Sequence, residues 1–336
     1  MLTITDSIPD GLLSLSAPEL HKILPGPTLI HLSGKKDPAV FVSILLHGNE
    51  HTGWEAIRKL LHESGTHLPR SLSVFIGNVE AARYNSRFLD GQPDFNRIWD
   101  GGETPEHKMM QKIIDEMNGR GIFLSIDIHN NTGKNPHYAC INKTYNEFLQ
   151  VAVLFSRTVV YFIRPKGVQS MAFARLCPSV TVECGTSGDK QGIDHAYDFV
   201  KSCLHLGEIS KHAIEPKDID LYHTVAVVKI PSHYSFGFDN TGYDLQLDRT
   251  IENYNFTNLP EGAVIGRVQN HIDNPLDIRD EQGNEVSHQY IKVDNGIIQS
   301  HTTLIPAMIT LDTEIIRKDC LCYLMENYQP VKKTFS

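Results

Sequence analysis

From about residue 39 to residue 212 the chain alternates short β-branched runs with stretches of helical period, and few architectures accommodate that order. It is satisfied when the strands form one sheet and the helices cover its faces. The runs at 39–46, 72–76, 122–128 and 179–183 are expected strands. Helices are expected at 52–62, where Trp54, Ile57 and Leu61 share a face, and at 106–118, 144–157 and 194–212. Tyr161 and Phe162, beside Ile163, read as core, and His195, His205 and His233 as surface or satisfied core groups. The stretch 77–102 is polar and keeps no period, which in a compact domain marks a working loop. Beyond Ile214-Glu215-Pro216 the texture changes. Short strand-like runs at 224–230, 263–268 and 290–293 are separated by turn signals at 240–242, 282–284 and 294–296. The expectation is an α/β domain over 1–214, a sheet flanked by helices, and a smaller β-rich domain over 215–336.

Composition removes several classes of function. With 336 residues the chain has room for two domains and a sizeable core. Its 31 basic and 40 acidic residues give a net charge of −9 with no block of like charges, so no nucleic-acid partner is expected. No apolar run approaches the length of a membrane span, and no membrane partner is expected either. Met1 to Asp10 lacks the basic and apolar regions of a secretory leader, and the six cysteines are thinly spread. Reduced thiols in a cytoplasmic protein are therefore expected.

Three of the expected strands end in groups that carry chemistry. The first delivers His47-Gly48-Asn49-Glu50 at its C-terminal end, the edge at which open α/β sheets bind ligands. A His and a Glu three residues apart can converge on one cation if the backbone turns sharply, and Gly48 permits such a turn. The strand Ser125-Ile126-Asp127-Ile128-His129 places Asp127 and His129 on one face, with the carboxylate able to act beside the imidazole. The strand Val180-Thr181-Val182-Glu183 ends in a carboxylate that needs a partner if buried. Each feature alone has a bland explanation, such as a histidine satisfied by a loop carbonyl or an ordinary loop glutamate. Three strands ending alike are far less expected by accident.

In order and setting, His47-x-x-Glu50, the segment Asn78…Arg87…Asp94-Phe95-Asn96-Arg97, Asp127-Ile128-His129-Asn130 and Val182-Glu183-x-Gly185 resemble the succinylglutamate desuccinylase/aspartoacylase family. These are zinc-carboxypeptidase-like hydrolases, and as a set the motifs are specific. The motifs span residues 39–212, and the β-rich remainder matches the family's second domain in position and type. The resemblance implies a zinc-carboxypeptidase-like catalytic domain, a mixed sheet flanked by helices, in which His47, Glu50 and His129 hold one zinc per chain and leave a position for water. It implies that Glu183 takes the proton from that water and passes it to the leaving amine. Arg87 would stabilise the oxyanion, and Asn96 with Arg97 would receive a substrate carboxylate. A planar guanidinium suits the last task because it bonds carboxylate in a bidentate manner. For a second acidic group of the substrate, Gln169 and Arg175 flank the expected place, and both stay open.

The expected activity is hydrolysis of the amide of a small-molecule N-acyl amino acid or related carboxylate. A carboxypeptidase acting on a peptide C-terminus is the near rival, separated by whether the β-rich domain caps the site or leaves a groove. A non-catalytic binding module on the same fold is the distant one, and the intact Glu183 speaks against it. A homo-oligomer is compatible with each. Other signals lose: Gly185-Thr186-Ser187-Gly188-Asp189 lacks the glycine that a nucleophile elbow needs two residues after its serine. Cys184 reads as a small buried residue at a strand end rather than a nucleophile, and Cys320-Leu321-Cys322 has no second pair for a structural zinc.

Overall fold

A computed structural model describes residues 1–65, 67–239, 242–269, 272 and 274–329. The chain divides into two compact units. The first comprises Met1–Asn130, His137–Tyr161 and Pro165–Asp220, and the second comprises the residues from Leu221 onward with the short segments Asn131–Pro136 and Phe162–Arg164.

The first unit is built on strands β1 (Thr3–Thr5), β2 (Thr28–Leu32), β3 (Ala39–Ile44), β4 (Leu72–Ile76), β5 (Ile122–His129), β6 (Tyr138–Ile141), β7 (Thr158–Tyr161) and β8 (Ser179–Glu183). They lie in the order β1-β2-β4-β3-β5-β8-β6-β7. The central strands β4, β3, β5 and β8 run parallel, while β2 and β6 are antiparallel to the neighbours that flank this core, so the sheet is mixed. Helices are α1 (Thr52–Ser64), α2 (Val79–Arg83), α3 (Pro105–Arg120), α4 (Asn146–Phe155), α5 (Gln169–Phe173) and α6 (Lys190–His205). The fold class expected from the alternation of elements is the one found.

Strand parity assigns the two faces. Side chains alternate along a strand, so Ile44 and Ile128 point one way, where a Cβ on Gly53 of α1 would stand 2.7 Å from Ile44. Phe41, Ser43, Ser125, Asp127 and His129 point the other way. On that side Phe41 stacks on Phe173 of α5 with ring centroids 4.4 Å apart, in a cluster with Trp99 and with Met110, Ile113 and Met117 of α3. The functional groups at the strand ends thus rise from the α3 and α5 side of the sheet.

Several expectations differ in detail. The last helix of this unit starts at Lys190 and ends at His205, not at 212. Asp189 caps its first turn by accepting from the Gln191 N–H, and the backbone at Leu206 is already non-helical. The polar stretch 77–102 contains the short helix α2, whose N-cap Asn78 accepts from the Ala81 N–H. Tyr161 and Phe162, expected in the core, are half-buried, and Ile163 beside them is 38% exposed. The chain turns at Gly48 as expected, with the Glu50 N–H reaching the His47 carbonyl at 3.2 Å, but glycine is required there by close approach and not by a left-handed backbone: a Cβ would stand 2.2 Å from the Ala82 nitrogen. The left-handed residue is Leu45, at φ 53°, two positions before His47.

In the second unit a five-stranded sheet runs in the order Phe236–Gly237, Leu245–Leu247, Val264–Val268, Ile297–Ser300 and Ile291–Asp294. The long strand Asp220–Lys229 pairs with Asp277–Asp280 and with Cys322–Asn327. The turn signal at 294–296 closes a two-residue hairpin: Asp294 pairs with Ile297, and Asn295 and Gly296 are left-handed at φ 48° and 76°. The signal at 282–284 is a turn in which Gly283 sits at φ 88°. Of the signal at 240–242, positions 240 and 241 lie outside the described residues.

Candidate metal centre and active site

The chemistry gathers at the C-terminal ends of β3, β5 and β8. After β3 the left-handed Leu45 redirects the chain, and its carbonyl accepts the Asn78 N–H at 2.6 Å. The loop that follows carries His47 and Glu50 into the interior ahead of α1. His129 ends β5, and β8 lies in register beside it so that His129 and Glu183 are paired across the two strands. In-register residues of parallel strands project to the same face, so Glu183 stands next to His129. Glu183 is 8% exposed.

His47, Glu50 and His129 converge. Each offers a ligand atom within 4.8 Å of the others, and all three are buried. One carboxylate bridges both rings, with Oε1 of Glu50 2.7 Å from Nδ1 of His47 and Oε2 2.7 Å from Nδ1 of His129. The opposite nitrogen of each ring meets an aspartate. Nε2 of His47 lies 3.0 Å from Asp94 Oδ1, and Nε2 of His129 lies 2.8 Å from Asp127 Oδ2. An aspartate that accepts the Nε2 proton leaves the Nδ1 lone pair facing inward, where a cation can take it. Asp127 is held in turn by the Ser43 hydroxyl, which donates to its Oδ1 at 2.6 Å.

The remaining expected residues surround this centre. Arg87 extends Nη2 to Asp94 Oδ2 at 3.3 Å and Nη1 to Glu50 Oε1 at 3.6 Å. Asn96 donates its backbone N–H to Asp94 at 2.7 Å, and its Nδ2 approaches Nε2 of His129 at 3.1 Å. Half-buried Arg97 donates from Nη1 to the Asn96 carbonyl at 2.9 Å. The two residues left open part company. Gln169 is fully buried, donating its backbone N–H to Asn96 Oδ1 and its amide to the Ser125 hydroxyl, while Arg175 is exposed on the turn after α5.

The electrostatics are those of a site that seeks a cation. Burial opposes charge on His47, and Arg87 adds to that, yet Glu50 and Asp94 outweigh both and raise the imidazole above its ordinary 6.5. Burial likewise opposes charge on His129, but Asp127 and Glu50 hold it well above 6.5. Glu50 and Asp94, which burial alone would push up, are held well below the ordinary carboxylate range by the facing imidazoles, with Arg87 and Arg97 also acting on Asp94. Two imidazole nitrogens and a carboxylate oxygen are the ligand set of a hydrolytic zinc. The donors present therefore fit that ion. Burial, with the nearby Glu183 charge, raises the Cys184 thiol well above 9.0, which keeps it protonated and unreactive.

Sequence reasoning overlooked some contributors. Ser43 carried a signal, since a hydroxyl inside the apolar run Ala39–Ile44 needs a buried partner. The grip of Asp94 on His47 and the burial of Gln169 carried none, because both depend on how the stretch 77–102 folds back.

The family model described as the succinylglutamate desuccinylase/aspartoacylase catalytic domain matches residues 36–204, just over half the chain. Among curated proteins no sequence matches. Solved structures share the fold at low identity. A succinylglutamate desuccinylase/aspartoacylase from Rhodobacter sphaeroides superposes with a TM-score of 0.58 at 14% identity, covering 89% of this chain and 88% of that one. Murine aminoacylase 3 gives 0.56 at 16%, over 88% of this chain and 97% of its own. The product-bound ectoine utilization protein EutE (DoeB) from Ruegeria pomeroyi gives 0.57 at 14%, covering 89% and 88%. The match of the catalytic-domain model over the same strands that end in His47, Glu50, His129 and Glu183 places this chain in the succinylglutamate desuccinylase/aspartoacylase family.

Proposed function

We propose that this protein is a zinc-dependent amidohydrolase that removes the acyl group from an N-acyl amino acid or a related small carboxylate. The observation that carries the reading is the convergence of His47, Glu50 and His129 within 4.8 Å, with Glu183 in register beside His129. Family membership and the fold shared with an aminoacylase and a desuccinylase support it. Six buried free thiols suit a reducing compartment such as the cytoplasm.

His47 Nδ1, Glu50 and His129 Nδ1 would hold the ion, about one per chain. Zinc bound there supplies Lewis acidity and brings a water toward a pKa of about 7. Glu183 accepts the proton of the attacking water as the new carbon–oxygen bond forms, then delivers it to the amide nitrogen as the carbon–nitrogen bond breaks. Arg87, fixed through Asp94, faces the negative charge that develops on the carbonyl oxygen. Asn96 and Arg97 receive the substrate carboxylate, and the fork of Arg97 fixes its orientation. Asp94 and Asp127 keep both imidazoles in the tautomer that the ion needs.

Elemental analysis of the purified protein, with a panel of N-acyl amino acids and short peptides, tests the reading. Replacing Glu183→Gln is expected to lower kcat on the order of 10²-fold or more while zinc stays near one per chain. Loss of zinc would make Glu183 a ligand instead. Turnover of peptides but not of N-acyl amino acids would favour a carboxypeptidase.

A further inference from the structure

Asn130 belongs to none of the roles above, yet its polar groups reach the three strand ends that form the site. It follows His129 directly and is 5% exposed. Its backbone N–H donates to Glu50 Oε2 at 3.2 Å. Its side-chain Oδ1 accepts the N–H of Thr52, the first residue of α1, at 3.2 Å. Its Nδ2 donates to the carbonyl of Gly185 at 2.8 Å. Gly185 lies two residues past Glu183 and is left-handed, at φ 71°.

The carboxamide therefore works as a strut with two different ends. The oxygen grips the first residue of α1, which directly follows the loop that brings in His47 and Glu50. The amide grips the turn on which Glu183 leaves its strand. Strand register sets the Cα of Glu183 against that of His129, but Glu183 is the last residue of β8, and the chain beyond it makes a turn. A side chain at a strand end keeps its aim only if the turn after it is held. Both side-chain bonds are buried, where a missing partner leaves a backbone group unsatisfied.

We propose that Asn130 is a positioning residue that holds the turn after Glu183 at a fixed offset from the His47–Glu50 loop, and so sets the distance between the base and the attacked carbonyl. This rests on the role of Glu183 given above. A misplacement of about 1 Å from outside the reacting groups can cost on the order of 10²-fold in rate. Asn130 is expected to act on kcat through Glu183, with little effect on substrate binding.

A double-mutant cycle decides. Steady-state kinetics on the best substrate of the panel, with zinc content, are measured for the parent enzyme, Asn130→Ala, Glu183→Gln and the two combined. Asn130→Ala is expected to lower kcat about tenfold to a hundredfold, with zinc near one per chain and KM within about twofold. In the Glu183→Gln background the same change is expected to cost less than about twofold, because the group it positions is already disabled. Equal loss in both backgrounds, or loss of zinc from Asn130→Ala, overturns the proposal.

Asn130→Asp keeps an oxygen for the Thr52 N–H but sets an oxygen against the Gly185 carbonyl. It is expected to lose kcat as Asn130→Ala does, and it supplies the answer if Asn130→Ala fails to fold. Full activity in Asn130→Asp would show the arm to Gly185 to be idle and overturn the proposal. If Glu183→Gln by itself leaves kcat intact, the base assignment has failed. If Glu183→Gln is impaired and the Asn130 cost is additive, only the strut has failed.

Discussion

Both compact units have apolar cores, but they differ in what they bury beside them: the first a linked set of charged and polar groups, the second scattered polar residues such as Glu252, Asn255 and Ser287. In the first, strands of apolar residues carry Ser43, Ser125, Asp127, His129 and Glu183 into the interior on one face, and each is 8% exposed or less. In the second, the interior is a cluster of Ile, Leu, Val and Phe around an apolar cavity of about 30 Å³, lined by residues such as Val228, Ile251, Leu259, Ile265 and Ile278. Burying charge is expensive unless every group finds a partner, whereas burying methyl groups is favourable in itself. The first unit holds its charges by interlocking them, from Ser43 through Asp127 and His129 to Glu50, His47 and Asp94. One change there should disturb function well before it unfolds the chain. One change in the second core should do the reverse.

The largest expected effect is on that second core. Ile298→Ala, at a position with no exposure, is expected to destabilise the protein by about 2–5 kcal/mol in a denaturant melt, with zinc content unchanged. A loss of zinc in this variant would break the division between the units. Next comes Asp127→Asn, which removes the carboxylate from Nε2 of His129. It is expected to reduce zinc affinity or activity about 10–100-fold, with a smaller shift of the melt than Ile298→Ala gives. An unchanged affinity would mean that His129 does not depend on its aspartate for its tautomer. Arg97→Lys is expected to raise KM for a carboxylate-bearing substrate about tenfold with kcat nearly constant, since the bidentate geometry is lost. An unchanged KM removes Arg97 from substrate recognition.

The smallest effect is a slope with pH. In zinc-free protein the raised imidazoles of His47 and His129 contribute stability that is complete below their ordinary 6.5 and lost as pH rises through their folded values. The depressed carboxylates of Glu50 and Asp94 contribute stability that is present above their ordinary 4.5 and 3.8 and lost as pH falls through their folded values. The zinc-free form is therefore expected to be most stable between 4.5 and 6.5 and to weaken toward alkaline pH. Zinc requires the rings to shed those protons, so its stabilisation grows with pH. The melting temperatures of chelated and zinc-loaded protein should draw apart as pH rises from about 6 to 8. A constant gap would uncouple the rings from the ion.

The sheet and its site were legible to different depths. The strands Leu72–Ile76 and Ser179–Glu183 match the runs read from β-branched residues, because a fully buried strand leaves an uninterrupted apolar signature. The expected helix over 194–212 starts four residues late and runs seven past His205, since the residues after Leu206 continue an ambiguous polar pattern without continuing the hydrogen bonds. Tyr161 and Phe162 are only half-buried for a related reason: hydropathy ranks residues, but exposure depends on what covers them.

By itself the sequence nominated the residues for the chemistry and placed two of them, Asp127 and His129, on one face of their strand. A spacing of two on a strand fixes a shared face, as for Asp127 and His129, and a polar residue inside an apolar run announces a partner, as Ser43 does. Only the tertiary structure decided which nitrogen of each imidazole faces Glu50, that Asp94 rather than a carbonyl takes the other side of His47, that Gln169 is buried away from solvent, and that Asn130 joins two loops. Apart from the short step from His47 to Glu50, those contacts link residues 44 to 79 positions apart and hang on loops whose path no local period encodes. Local periodicity sets direction within an element, while the distance between elements is set by packing, and chemistry depends on distance.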